Sequence, residues 1–353
     1  MYHKELQLLK NKERFRQRTL YDNITDLASN DYLGLAENEE IFEKTVFEIK
    51  KLGLHGAKAS LLVNGYTKAH QKLEEELKKL NNFEDAITVG SGFLANMALF
   101  ELGRRGDLFL VDEEYHASGI VGSRLTQANV IFFRHNSIEN LKEKAKNHKN
   151  YKRVFVVVEG IYSMRGDEVN PEILEYAQNI GYLIIDEAHS VGVTGNDLMG
   201  ITSKYNLNRK KTIKMGTLGK ALGSYGAYIL AKKEITDYLI NRAKSIIYTT
   251  ALSPVDCFNA YFALKYIQEN LEKLKNEIEY KKLIFNSDSL IKIIPEKSNK
   301  VLLQKQKYLI DNAQVLVGAI RPPTVSAPIF RVILRTNVNN DIIRKTIKYL
   351  EEE

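Results

Sequence analysis

Leu183-Ile184-Ile185-Asp186-Glu187-Ala188-His189 is an apolar run that ends in a carboxylate, with a histidine three positions later. Such a run, bounded by Gly181 and a polar end, reads as a buried strand of a parallel sheet. Side chains at the end of such a strand face the crevice in which α/β proteins hold ligands. Downstream lies Met215-Gly216-Thr217-Leu218-Gly219-Lys220-Ala221-Leu222-Gly223, where one lysine sits among small and apolar residues. Most lysines occupy a solvated face, and these neighbours do not make one. Burial disfavours the ammonium form, so an amine here is expected to have a lowered pKa and to suit Schiff-base chemistry. One carboxylate, one imidazole and one desolvated amine are expected to share a crevice.

A nucleotide-binding reading competes. Gly219-Lys220 after a strand is similar to a phosphate loop, and Asp186-Glu187-Ala188-His189 is similar to the DEAH-box helicase signature. A phosphate loop requires G-x-x-x-x-G-K-[ST]. Here Lys214 stands where the first glycine belongs and Ala221 follows Lys220, so both ends fail.

Working outward, residues 86 to 230 alternate strands and helices. Expected strands are Ala86–Val89, Asp107–Val111, Val130–Phe133, Arg153–Glu159, Tyr182–Asp186, Thr212–Met215 and Ala227–Leu230. Expected helices between them are Leu94–Leu102, Ile138–Lys146 and Glu172–Asn179. The alternation predicts an α/β fold with a mainly parallel seven-stranded sheet covered on both faces. Before it, residues 1–20 read as a basic helical arm, 40–52 as an amphipathic helix, and Thr67–Asn81 as a helix with Thr67 as its N-cap. After it, a long helix (Ala260–Leu274) leads to a small sheet of Val301–Leu303, Ala319–Arg321 and Arg331–Arg335, then a last helix at Asp341–Glu352. Three units are expected: an arm over residues 1–40, a large domain over 41–252 and a smaller α+β domain over 253–353.

The chain has 353 residues, 44% hydrophobic and 27% charged, with a net charge of +7. That composition describes a globular protein larger than one ordinary core. The positive charge suits an anionic substrate or an acidic partner. The lysines are spread without a basic tail, which argues against nucleic acid. Cys257 is the lone cysteine, so no disulfide framework or cysteine metal cluster is available. No paired histidine spacing announces a metal site. Residues 1–18 are charged throughout, unlike a secretory signal, and no apolar run approaches a membrane span, so a cytoplasmic location is expected.

Gly90-Ser91-Gly92-Phe93-Leu94-Ala95-Asn96 joins a strand to a helix, a setting in which backbone N–H groups bind phosphate. A plain strand-to-helix turn has the same look. Thr217, Thr249 and Thr250 add hydroxyls, and His116 follows the strand ending near Asp112, where an imidazole can stack on a flat ring. Together with the amine, these sites suggest a phosphorylated carbonyl cofactor.

Taken in order, the set resembles the α-oxoamine synthases, pyridoxal-phosphate (PLP) enzymes of the fold-type I aminotransferase group. The matching pieces run from Asn30 to about Arg331 and include Asn30-Asp31-Tyr32-Leu33-Gly34-Leu35, Ser91-Gly92-Phe93, His116-Ala117-Ser118, Glu159-Gly160-Ile161-Tyr162-Ser163-Met164, Asp186-Glu187-Ala188-His189, Thr217-Leu218-Gly219-Lys220 and Tyr248-Thr249-Thr250. Arg321-Pro322-Pro323-Thr324-Val325 is most similar to the branch that makes 8-amino-7-oxononanoate in biotin synthesis. The resemblance implies a fold-type I transferase in which Lys220 holds PLP covalently and Asp186 pairs with the ring nitrogen. It further implies that His189 and Ser163 bond the phenolic oxygen and that His116 stacks on the ring. Ser91, Gly92, Phe93 and Thr217 would serve the phosphate, with Thr250 reaching in from a second subunit of a homodimer. For substrate it implies Asn30, Arg321 as a carboxylate fork, Thr324, and one arginine of the arm, placed at Arg18 with Arg14 and Arg16 near it. The implied reaction is a decarboxylative condensation of L-alanine with pimeloyl-CoA or pimeloyl-acyl carrier protein. A glycine-using ligase that makes 2-amino-3-ketobutyrate is the alternative within the family. Departures from the family pattern are Arg165 in place of an acid, Leu61 in place of an arginine, and Ile333 in place of the second arginine of an Arg-x-Arg.

Overall fold

The computed structural model describes residues 1–352. Among the described residues eleven strands form two sheets. In chain order they are β1 (Thr25–Leu27), β2 (Asp85–Val89), β3 (Leu108–Asp112), β4 (Asn129–Phe133), β5 (Val154–Glu159), β6 (Tyr182–Asp186), β7 (Thr212–Thr217), β8 (Ala227–Ala231), β9 (Ile291–Pro295), β10 (Val315–Ile320) and β11 (Ile329–Ile333).

The larger sheet runs β2-β8-β7-β6-β5-β3-β4. Pairings from β7 through β6, β5 and β3 to β4 are parallel, while β8 runs antiparallel to both β7 and β2. All seven strands expected here are present, and the reason lies in their composition. Strands buried on both faces read as unbroken apolar runs. Phe155 and Val157 of β5 pack on one face, with Phe109, Val111 and Ile184. Val154, Val156 and Val158 pack on the other, with Leu183, Ile185 and the helix Pro171–Ile180. Parallel strands need crossovers, and helices such as Gly92–Phe100 and Ile138–Lys144 supply them. Caps fix the starts: Thr67 and His70 form a reciprocal capping box, and Asn170 caps the helix that opens with Pro171.

The smaller sheet runs β1-β10-β11-β9. Its first strand comes from the start of the chain, with Thr25 paired in parallel with Val315. Several expectations are corrected here. Val301–Leu303 is not a strand: it lies inside the helix Asn299–Ala313, where the Ser298 side chain caps Val301 N–H and Leu302 and Leu309 are buried two turns apart. The strands near 319 and 331 span Val315–Ile320 and Ile329–Ile333, and the third partner is β9. The long helix is two, Pro254–Glu269 and Leu271–Ile284. They are divided at Asn270, whose side chain bonds back to the Tyr266 carbonyl and competes with the helical ladder. Within residues 1–20 only His3–Asn11 is helical. Among the described residues no helix is long and apolar enough to cross a membrane.

Candidate active site

The C-terminal ends of four neighbouring strands converge on one cavity of about 200 Å³. Its wall includes Glu159 from the end of β5, Asp186 from β6, Thr217 from β7, and His116 from the segment after β3. Gly92, Phe93 and Asn96 of the helix Gly92–Phe100, which follows β2, close one side, and His189 and Lys220 close another. Strand ends at the carboxyl edge of a parallel sheet are where such folds hold ligands.

The motif around Asp186 divides its side chains by direction. Asp186 faces the cavity, its Oδ1 accepting from Ala188 N–H at 3.0 Å and its Oδ2 from Asn96 Nδ2 at 3.1 Å. Asn96 is held in turn by the Tyr115 hydroxyl at 2.6 Å. Glu187 turns into the core and bonds the backbone of Ile201 and Thr202. His189 returns to the cavity, with Nε2 2.7 Å from Lys220 Nζ and Nδ1 2.6 Å from the Tyr32 hydroxyl.

The electrostatics suit a reactive amine. Desolvation pushes Lys220 down to about 8, against the opposing pull of Asp186 and Glu159. His189 is held well below the usual histidine range by burial, then by the charges of Lys220 and Arg331. Glu159 is pushed well above the usual carboxylate range by burial and by Asp186 beside it. Its Oε2 accepts from Ser163 N–H at 3.1 Å, while its buried Oε1 has no hydrogen-bond partner.

Arg331 is the cation that sequence reasoning passed over. It is 4% exposed, and it donates to the Ser163 carbonyl at 2.7 Å, to Asn30 Oδ1 at 2.8 Å and to the Tyr32 hydroxyl at 3.4 Å. All three partners are neutral. A charge interrupting the apolar strand Ile329–Ile333 was the available signal. Glu159, Tyr32 and Asn96 were visible only as members of motifs. The Ile333 departure is thus set beside an arginine two residues earlier whose charge acts on Lys220 and His189.

The other residues expected in the site divide between the cavity and its surroundings. Ser91 caps its helix, accepting from Leu94 N–H at 3.3 Å. Ser163 is buried against Glu159 and Arg331 through its backbone. Phe93 and His116 are on the exposed side of the cavity. Thr250 is exposed, bridged to Ser60, and is not among the cavity's lining residues. Neither are Arg18, Arg321 and Thr324. Arg18 is exposed, and it is Arg16 that donates to Thr324 Oγ1, at 3.0 Å. Arg321 donates to the Glu13 carbonyl at 2.9 Å, and the nearby Arg16 charge adds to burial in lowering its pKa.

These residues fit PLP. The buried Thr217 Oγ1 has no hydrogen-bond partner. It stands beside Gly92, where a Cβ would come within 2.8 Å of Thr217 Cγ2, so the glycine keeps that end open. A hydroxyl and free N–H groups at a helix start suit a phosphate. The amine suits an aldehyde, and Asp186 suits a ring nitrogen.

The comparisons agree with this chemistry. Residues 22–350 match the family model described as aminotransferase class I and II. An 8-amino-7-oxononanoate synthase of Helicobacter pylori (strain ATCC 700392 / 26695) is 41% identical over 345 residues, covering 95% of this chain and 92% of that one. The crystal structure of an 8-amino-7-oxononanoate synthase from Francisella tularensis is 29% identical, with a TM-score of 0.78 over 94% of this chain and 97% of that one. A serine palmitoyltransferase from S. paucimobilis, solved with a bound adduct of PLP and myriocin, shares the fold at 20% identity, with a TM-score of 0.86 over 99% of this chain and 95% of that one.

Proposed function

Because this chain belongs to the 8-amino-7-oxononanoate synthases, PLP-dependent acyltransferases within aminotransferase class I and II, we propose that it condenses L-alanine with a pimeloyl thioester. The products are 8-amino-7-oxononanoate, carbon dioxide and the free thiol, on the route to biotin. The thioester is pimeloyl-CoA or pimeloyl-acyl carrier protein; the +7 charge favours either anionic carrier.

The observation that carries this reading is a buried amine, Lys220, lowered to about 8 and within the field of Arg331, a buried guanidinium that has no carboxylate bonded to it among the described residues. An amino acid brings the missing anion. Arg331 binds the α-carboxylate and presents Cα to Lys220. PLP, when bound, supplies an electron-poor ring that accepts the electron pair released from Cα. Asp186, fixed at both oxygens, would pair with the ring nitrogen of bound PLP. Gly92, Phe93 and Thr217 would hold its phosphate, Lys220 would be the point of covalent attachment, and His116 would lie against the ring. As the free amine, Lys220 Nζ would take the Cα proton and later return one. His189, with Ser163 behind it, would serve the phenolic oxygen. Arg16, Arg321 and Thr324 gather two cations and a hydroxyl with neutral partners, an arrangement suited to the far carboxylate of a dicarboxylic acyl chain.

A second copy completes the site in this proposal. Leu62, Val63 and Tyr248 are 52%, 79% and 78% exposed and flank the Ser60–Thr250 bridge. An apolar cluster of this kind supports a homodimer in which Thr250 reaches the partner's phosphate.

Purified protein should be yellow and should release free thiol from pimeloyl thioester when given alanine. Lys220→Ala should lose both the colour and the turnover. Thiol release with glycine in preference to alanine would replace this reading with the glycine-using one, and a colourless wild type would end it.

A further inference from the structure

Tyr32 is fully buried, and its hydroxyl is bracketed by two groups whose chemistry fixes its proton. On one side Arg331 Nη2 approaches the oxygen at 3.4 Å. A guanidinium only donates, so the phenolic oxygen accepts there. Its single proton is left for His189 Nδ1, 2.6 Å away. The imidazole faces the Lys220 amine, the Arg331 guanidinium, the ring of His116 and the carboxyl groups of Glu159 and Asp186 across the cavity. Burial, with the Arg331 charge added to it, keeps it neutral, so it has one N–H to place. Accepting at Nδ1 leaves that proton on Nε2, 2.7 Å from Lys220 Nζ, which accepts it as the free amine.

We propose that Tyr32 is a positioning residue of the reaction, setting the His189 tautomer so that its N–H is aimed at the reacting amine. Tyr32 does not touch substrate. It carries the orientation of the carboxylate-binding Arg331 through one hydroxyl to the imidazole beside Lys220. The inference rests on the reading of Lys220 as that amine. It adds a consequence: substrate binding at Arg331 and the hydrogen bond at Nε2 are coupled. The identity of a hydrogen on a ring nitrogen is usually set by what the other nitrogen meets.

The test reads the tautomer directly. In the full chain as purified, ¹⁵N-histidine labelling distinguishes protonated from bare ring nitrogens, and His189 is assigned by the signals lost in His189→Asn. Wild type is expected to show N–H at Nε2 and a bare, hydrogen-bonded Nδ1. Tyr32→Phe keeps the ring and removes the donor. It is expected to move the tautomer ratio toward Nδ1–H by about fivefold or more, the worth of one hydrogen bond. Should that variant not fold, 3-fluorotyrosine at position 32 keeps the hydroxyl and makes it a stronger donor, and the Nδ1 signal should move toward its protonated position. An unchanged ratio in Tyr32→Phe, an unmoved Nδ1 with fluorotyrosine, or a wild type protonated at Nδ1 overturns the proposal. Because no turnover is measured, a wrong substrate assignment would leave the tautomer result intact.

Discussion

At the scale of single residues, the sequence showed its reactive groups where they broke a local pattern and hid them where they conformed to one. Lys220 among Gly, Ala and Leu could be read at once, and so could Asp186 at the end of an apolar run. Arg331 interrupts an apolar strand too, but its role stayed hidden, because a long side chain in a strand usually reaches the solvent and nothing local says that its partners, Asn30 and Tyr32, come from the opposite end of the chain. His135 is another such case. Its ring nitrogens meet Asp112 at 3.1 Å and Asp167 at 2.9 Å. These carboxylates outweigh desolvation and raise its pKa from 6.5 to about 9. A raised pKa means the folded state holds the proton more tightly. Its contribution to stability is therefore complete below pH 6.5 and disappears as pH rises through about 9. The melting temperatures of wild type and His135→Gln should differ most near pH 6 and converge above pH 9. A gap that stays constant across that window would show that the pair is not linked to folding.

At the scale of elements, the seven strands of the large sheet were legible because double-sided burial writes an unmistakable apolar run, such as Val154-Phe155-Val156-Val157-Val158. The small sheet was not, since three apolar residues at Val301–Leu303 serve a helix turn as well as a strand. The turn from Glu187 to Thr202 explains the misleading signature. Glu187 accepts from Ser190 Oγ, Ile201 N–H and Thr202 N–H, and Lys214 Nζ lies 3.5 Å from it, both side chains fully buried. Gly200, with φ +91°, is the only residue type that fits, since a Cβ would fall 1.8 Å from Glu187 Oε2. This carboxylate, fully buried and away from the cavity lining, pins the segment that carries His189. Lys214→Met removes the cation and leaves the carboxylate buried. It should cost about 3–5 kcal/mol, seen as a lowered urea midpoint. A midpoint equal to wild type would mean the backbone N–H groups suffice alone.

At the scale of the whole molecule, the site proposed here is wider than one chain. Thr250 lies outside the cavity of its own subunit, so Thr250→Ala should weaken PLP retention only if a second copy supplies that hydroxyl. Light scattering should give twice the mass of 40.4 kDa, and mixing Thr250→Ala with Lys220→Ala should restore one intact site per pair. A monomeric mass with full colour would remove the partner from the mechanism. Within one chain, β1 closes the far sheet through Thr25 and Val315, and Tyr32 and Asn30 meet Arg331 just beyond it. During synthesis the early segment must therefore wait, unpaired, while almost the entire polypeptide leaves the ribosome. The large sheet has all its strands by Ala231 and is free to form first. A nascent chain that has not yet extended past Arg331 would then have a finished large sheet while Asn30 and Tyr32 still wait for their guanidinium.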